Sequence, residues 1–270
     1  MKGIIYGLPL NKTLDSIDNL LVKAITQTYF GRDVLEPYGA LEKNEIEFEF
    51  DSFVMSNRAL PCFLPRYIPF PVDMQVPAQS LFRVRQRTES LASSVSVEYD
   101  NRWAVHCETT YELTPKIPIP YFLVWRHRFQ EGDRTSEAVA ELPGALDFRF
   151  TRMFSIVLDW NIPNAAHPDG PWWSVGRDDG RTTVQLRDSA GWLYANRPLK
   201  MAHFFPDPSI SGNVTGLARE SLHMPVAPIH IGKIAYTDID LVNPLPAPEG
   251  TNTVFEKYIY LIAIGILSQS

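Results

Sequence analysis

The triplet His106-Cys107-Glu108 is the clearest chemical signal in the sequence. On a β-strand, residues two positions apart share a face, so His106 and Glu108 could bind one metal ion. Two histidines and one carboxylate on one side of an iron ion leave coordination positions open for oxygen chemistry. His203 and His230 are the candidates for the third ligand, although neither lies in a supporting motif. A half-buried histidine beside a surface glutamate explains the same pair more simply.

Arginines alternate along two predicted strands, at Arg83, Arg85 and Arg87 and again at Arg126 and Arg128. Such rows could contact phosphates, while neighbouring aromatic rings stack on bases. The favoured alternative is ion pairing with an acidic row on an adjacent strand. That row consists of Glu45, Glu47, Glu49 and Asp51. The net charge of −6 supports the ion pairs, because it gives nucleic acid no general attraction.

Large aromatic side chains lie beside prolines in two segments predicted to be loops. These are Trp172 and Trp173 after Pro171, and Phe204 and Phe205 before Pro206. Aromatic residues in loops can line a ligand pocket or anchor a subunit interface. They can equally close the open end of a β-sandwich.

Several common catalytic motifs are missing from the sequence. It contains no glycine-rich phosphate loop, dinucleotide fingerprint, nucleophile elbow or paired metal-binding cysteines. This disfavours the standard hydrolases, kinases and NAD enzymes. Cys62 and Cys107 are too few for a disulfide framework, and the sequence leaves open whether they pair.

The predicted location is a virion or the cytoplasm. The first ten residues lack the charged-then-apolar pattern of a secretory signal. The most apolar run, from Tyr258 to Leu267, is about half the length that crosses a bilayer. We therefore expect no membrane contact and no export through a signal peptide.

One amphipathic helix is predicted over about residues 13–30, because apolar residues recur there at helical spacing. They are Leu14, Ile17, Leu20, Leu21, Ala24 and Ile25.

Strand patterns dominate from about residue 45 to residue 267. The acidic row alternates with Ile46, Phe48 and Phe50, which is typical of a strand with one face in water. The pattern over 146–160 changes phase as a β-bulge would cause. The turn sequence Arg177-Asp178-Asp179-Gly180 predicts a hairpin between the segments 173–175 and 182–186.

From Tyr258 onward both alternating sets of residues are apolar, which indicates a central strand buried on both faces.

These elements predict a mainly β protein, an antiparallel β-sandwich or barrel of jelly-roll type with one N-terminal helix. Eight to ten strands and 22 prolines fit stiff surface loops between strands. No internal sequence repeat or flexible linker is recognisable, so residues 1–270 are predicted to form a single domain.

The pattern resembles the jelly-roll capsid proteins of picorna-like and other icosahedral viruses. The shared features are the short helix near the start, about eight strands, proline-rich loops, loop aromatics and the apolar terminal strand. The resemblance implies a structural subunit of a capsid or similar large assembly. Its partners would be copies of itself or related subunits, and it would need no cofactor. The chain lacks the basic arm of many capsid proteins, so contact with nucleic acid is not indicated.

Two other functions fit the same features. One is a cupin-like β-barrel enzyme or small-molecule binder, with His106 and Glu108 at a divalent metal such as iron. The clustered histidines of the usual cupin motif are absent from the sequence. The other is an adaptor in a phage or secretion machine.

Overall fold

The computed structural model of the chain is built from antiparallel β-sheets. It describes residues 2–7, 12–15, 18–31, 42–61, 64, 67–90, 99–113, 118–130, 133, 135–143, 146–161, 172–175, 183–188, 198–200, 229–231, 234–240 and 254–269. Within these ranges there are 18 strands and no helix. No helix in the described part of the chain is long and apolar enough to cross a membrane.

Nine strands make up the first half of the chain, residues 2–110. They are β1 (Lys2–Gly7), β2 (Lys12–Asp15), β3 (Asn19–Gly31), β4 (Glu42–Phe50), β5 (Phe53–Val54), β6 (Leu60–Pro61), β7 (Tyr67–Val76), β8 (Leu81–Ser90) and β9 (Tyr99–Thr110).

Nine more make up the second half, residues 119–269. They are β10 (Ile119–Gln130), β11 (Thr135–Glu141), β12 (Leu146–Asn161), β13 (Trp172–Val175), β14 (Thr183–Asp188), β15 (Leu199–Lys200), β16 (Ile229–Ile231), β17 (Ile234–Asp240) and β18 (Val254–Gln269).

The strands form four sheets, two in each half. In the first half, sheet A has the order β1-β9-β3-β7 and sheet B the order β2-β8-β4-β5, with β6 also paired to β4. In the second half, sheet C has the order β10-β18-β12-β13, with β16 also paired to β12, and sheet D has the order β11-β17-β14-β15. All of these strand pairs are antiparallel.

The two halves repeat one connectivity. When the strands are numbered within each half, the order of sheet A is first, ninth, third and seventh. Strands β10, β18, β12 and β16 are the first, ninth, third and seventh of the second half, and they pair in the same order in sheet C. Sheet B joins the second, eighth, fourth and fifth strands, whereas sheet D joins the second, eighth, fifth and sixth. Sheet D contains the fifth and sixth strands instead of the fourth and fifth, because β13, the fourth strand of the second half, pairs with β12 in sheet C. The repeat therefore lies in the strand order, where the sequence shows no recognisable repeat.

The core consists of two hydrophobic clusters on opposite faces of sheet C. Even-numbered residues of β10 and β18, such as Phe122 and Ile262, lie in one cluster with the interior of the first half. Odd-numbered residues, such as Leu123 and Leu261, lie in the other with Ala140 of sheet D. Strand β18 is thus buried on both faces, which confirms the prediction from its sequence.

A β-bulge in β12 confirms the predicted change of phase. The register with β18 shifts between Phe150 and Arg152. As a result Phe148 and Met153 lie in the same cluster although one is even-numbered and the other odd. Gly265 of β18 makes room at this point, because a Cβ atom there would lie only 2.6 Å from the ring of Phe148.

The predicted N-terminal helix is wrong. Residues 12–15 form β2 and residues 19–31 form β3, which pairs with both β9 and β7. Val22, Ile25 and Thr26 are β-branched and favour a strand. A register shift between Val22 and Ala24 moves the apolar residues out of simple alternation, so the strand resembles a helix in its spacing.

The predicted hairpin is also wrong, because β13 pairs with β12 whereas β14 pairs with β15 and β17. Segments 173–175 and 183–186 are strands as expected, but their partners are distant in sequence.

Candidate functional site

His106 lies on β9, in the middle of sheet A, with its side chain held by two neighbouring strands. A hydrogen bond of 2.5 Å joins its Nε2 atom to Oγ1 of Thr26 on β3. The ring of Tyr67 on β7 meets the imidazole edge-on, with 5.8 Å between the ring centroids. The half-buried imidazole is therefore part of a contact that spans three strands.

Glu108 lies two positions further along β9 and is held by a lysine. Its Oε2 atom is 2.8 Å from Nζ of Lys23, which also lies 3.8 Å from Oδ2 of Asp73. The hydrogen bond from Lys23 to Glu108 raises the pKa of the lysine. His106 and Glu108 thus take part in the protein's own contacts on the outer face of sheet A, the face turned away from the first-half core.

The predicted metal site has two of its residues on one strand, and its third ligand is not described. His230 is in β16, which belongs to sheet C and not to the sheet of β9, and its side chain lies outside the described residues. His203 lies wholly outside them. The described part of the chain contains no group of three or more histidine, cysteine, aspartate or glutamate residues that could hold a metal ion. A metal bound by His106 and Glu108 stays a prediction.

The arginine row on β8 lies beside the acidic row on β4. In the register of these strands, Glu49 is opposite Arg83, Glu47 opposite Arg85 and Glu45 opposite Arg87. Distances of 3.5 Å from Arg83 Nη1 to Glu49 Oε1 and 2.6 Å from Arg85 Nη2 to Glu49 Oε2 show two ion pairs to one carboxylate. This confirms the ion-pair interpretation for Arg83 and Arg85. The side chain of Arg87 lies outside the described residues, and phosphate binding by this row stays a prediction.

The acidic face of β4 is buried, so the prediction that it lies in water is wrong. Glu47 and Glu49 are only 7% and 5% exposed, and Ile46 and Phe48 on the other face are fully buried. Buried carboxylates are tolerated when they are paired with cations, which Arg83 and Arg85 of β8 provide for Glu49. Asp51, the last acidic residue of the row, lies in the turn after β4, where its Oδ1 accepts a hydrogen bond from the Leu81 backbone at 2.7 Å.

A second polar contact joins the two halves of the chain. Glu45 Oε1 on β4 lies 3.6 Å from Nη1 of Arg126 on β10. Tyr260, the register partner of Arg126 on β18, is fully buried next to this pair. Its burial, with the charge of Glu45, raises the pKa of its hydroxyl. The Arg126 guanidinium also lies 6.0 Å from the centroid of the Tyr258 ring, so this arginine of the second predicted row holds the halves together.

Aromatic packing surrounds this polar contact. The ring of Phe122 on β10 lies 5.4 Å from Phe48 of β4 and 6.4 Å from Phe70 of β7, between ring centroids. Phe48 in turn meets Trp103 of β9 edge-on at 5.7 Å. The even-numbered face of sheet C is thus covered by the interior of the first half. Sequence reasoning missed this interface, although the apolar run Tyr121 to Trp125 carried the signal.

His127 is a buried titratable group that sequence reasoning did not single out. It is fully buried on β10, with its Nδ1 atom 3.2 Å from Oγ of Ser136 on β11 and its ring stacked 6.4 Å from Phe129. Burial lowers its pKa from 6.5 to about 4, so the imidazole is neutral at pH 7. It alternates with Arg126 and Arg128 along β10, so it lies on the opposite face of the strand from the two arginines.

The predicted aromatic anchors are only partly described. Trp172 and Trp173 lie in β13 and not in a loop, paired with Asn161 and Trp160 of β12, but their side chains lie outside the described residues. Phe204 and Phe205 are wholly outside them, as is Cys62. Cys107 is a buried thiol, and burial raises its pKa.

Several of the described polar side chains are therefore joined to one another, across sheet A, within sheet B and between the halves. This arrangement stabilises a large β structure. A scan against protein-family models finds no match for the chain, and a search of curated proteins finds none either.

Proposed function

We propose that the chain is a structural subunit of a closed protein shell, such as an icosahedral viral capsid, and that it consists of two jelly rolls in tandem. A jelly roll is a pair of antiparallel sheets made from eight strands and two Greek keys, an architecture common in capsid proteins. The observation that carries the proposal is the strand order of sheet A, which recurs in sheet C. Sheets B and D support it, because each begins with the second and eighth strands of its half.

The contacts between the halves fit a structural role. A shell subunit must keep a fixed shape while its loops contact neighbouring subunits, and two sandwiches that share a buried face form such a rigid unit. The face between them combines the ring of Phe122 with the ion pair of Glu45 and Arg126. Its partners would be copies of the same chain or related subunits.

The mass of the purified protein in solution tests this proposal. We expect light scattering to show assemblies far heavier than a tetramer of the 30.7 kDa chain, without stoichiometric metal in the same sample. The matched variant Glu108→Gln should assemble like the wild type, because Glu108 lies on the outer face of sheet A, where it pairs with a half-exposed lysine. A uniform small species would contradict the proposal.

A metal-dependent β-barrel enzyme or binding protein is the second candidate, supported by the shared position of His106 and Glu108 on β9. The same experiment separates the two functions. A small species loaded with one metal ion per chain, which loses that metal in Glu108→Gln, would favour the second candidate.

A further inference from the structure

The segment of residues 55–57 belongs to the first half of the chain but lies along the edge of a sheet in the second half. Ser56 forms a parallel β-bridge with Phe122 of β10, and the Phe122 backbone N–H donates to the carbonyl of Met55 at 2.8 Å. Strand β10 is the last strand of sheet C on this side. Among the described strands, none other pairs with the backbone groups of β10 that point away from β18.

Asn57 continues this pairing with its side chain instead of its backbone. Its Nδ2 atom donates to the carbonyl of Val124 at 3.1 Å, and the Val124 N–H donates to its Oδ1 atom at 2.7 Å. A primary amide offers one acceptor and two donors, so a single side chain satisfies both backbone groups of one edge residue. Since Val124 is fully buried, those groups need a partner within the protein.

The same segment is also bonded to the first half. The Met55 N–H donates to the carbonyl of Phe48 on β4 at 2.7 Å, and the side chain of Met55 is fully buried. Residues 55–57 therefore connect β4 on one side with β10 on the other.

We propose that Asn57 is the positioning residue that fixes the first half on the second, by attaching segment 55–57 to the edge of β10. The hydrogen bonds at Phe122 and Val124 align the segment with defined residues of β10. The attachment of the two halves within one chain does not depend on what the chain assembles into.

Site-resolved hydrogen exchange on the full chain tests the proposal, with Asn57→Ala as the variant and Ser56→Ala as its matched control. The Ser56 hydroxyl has no hydrogen-bond partner among the described residues, so its removal leaves the segment attached. In Asn57→Ala we expect the Val124 amide to exchange at least about tenfold faster, while the Met55 amide keeps its wild-type rate. The Phe122 amide bonds to the Met55 carbonyl and not to Asn57, so its faster exchange in the same variant would show a segment that has left β10 but remains on β4.

An unchanged Phe122 rate in Asn57→Ala would overturn the proposal, and so would an equal increase in Ser56→Ala. If Asn57→Ala does not fold, Asn57→Gln decides, because its longer side chain displaces the amide while keeping its chemistry. The same rise at Val124 is then expected, with the amide of Tyr260 in the central strand unchanged. A wild-type rate at Val124 in Asn57→Gln would also overturn the proposal.

Discussion

Sheets A and C share one strand order, yet their outer faces meet different surroundings. The outer face of sheet A carries His106, Glu108 and Lys23, which are partly exposed. His106 is hydrogen-bonded to Thr26, and Glu108 pairs with Lys23. The corresponding face of sheet C carries Phe122 and Ile262, which are fully buried against the first half. One face is a charged surface and the other is an interface.

The difference shows that connectivity and surroundings are specified by different features of the sequence. In β9 a buried residue such as Val105 alternates with half-buried His106 and Glu108, as expected for a sheet with one covered face. In β10 the residues from Tyr121 to Trp125 are all buried, whichever face they occupy. The alternation along the strand therefore decides which sheet lies in the middle of the molecule.

The strongest test of this difference is Phe122→Ala. Removing a fully buried ring that contacts Phe48 and Phe70 should lower the free energy of unfolding by about 3–5 kcal/mol. Leu21→Ala on the half-buried outer face of sheet A is the matched variant, with an expected loss of about 1 kcal/mol. Denaturant unfolding measures both. Equal losses would mean that the two outer faces are equally covered.

The inner face of sheet C can be tested through the pH dependence of stability. The pKa of His127 is about 4 in the folded protein against 6.5 unfolded, so the unfolded chain binds the proton first. Stability is then fully present above pH 6.5, falls as the pH drops toward 4, and loses about 3 kcal/mol over that window. His127→Gln should flatten this part of the curve in thermal unfolding measured at several pH values. An unchanged slope would show that the imidazole is not buried as described.

The bulge in β12 can be tested with Gly265→Ala. The added Cβ would lie 2.4 Å from the Arg149 carbonyl and 2.6 Å from the Phe148 ring, so we expect a loss of about 1–3 kcal/mol from overpacking. Because the two residues are in contact, adding Phe148→Leu should cost less in this background than in the wild type. Unfolding experiments on the single and double variants measure the coupling, and strictly additive losses would argue against the contact.

The smallest effect is expected on the outer face of sheet A. Lys23→Ala removes an ion pair whose partners are partly exposed to solvent, so the thermal midpoint should move by no more than about 2 °C. The remaining difference from the wild type should shrink further in high salt, since salt screens exposed charges. A loss as large as that of Phe122→Ala would mean that this face is an interface too.

Local patterns in the sequence predicted local features correctly. The phase change in residues 146–160, the doubly buried strand after Tyr258 and the pairing of Arg83 and Arg85 with the acidic row are all found in the structure. Each of these signals lies in the spacing or charge of neighbouring residues. The mainly antiparallel β class follows from the same spacing.

Features that depend on distant partners were missed. Strand β3 has apolar residues at both helical and alternating positions. Its pairing with β9, about 80 residues away, makes it a strand and not a helix. The spacing of Glu47 and Glu49 indicates a solvent-exposed face. Both are buried in the structure, where β8 with its arginines lies beside β4. The contact of Asn57 with Val124, 67 positions along the chain, leaves no pattern in either segment.

Electron cryomicroscopy of the purified protein is the experiment that decides whether the chain builds a shell from paired jelly rolls. We predict closed particles in which each chain contributes two adjacent β-sandwiches, with sheet C between the first-half core and sheet D. Isolated subunits or small rings at every concentration, with a single sandwich per chain, would contradict the account.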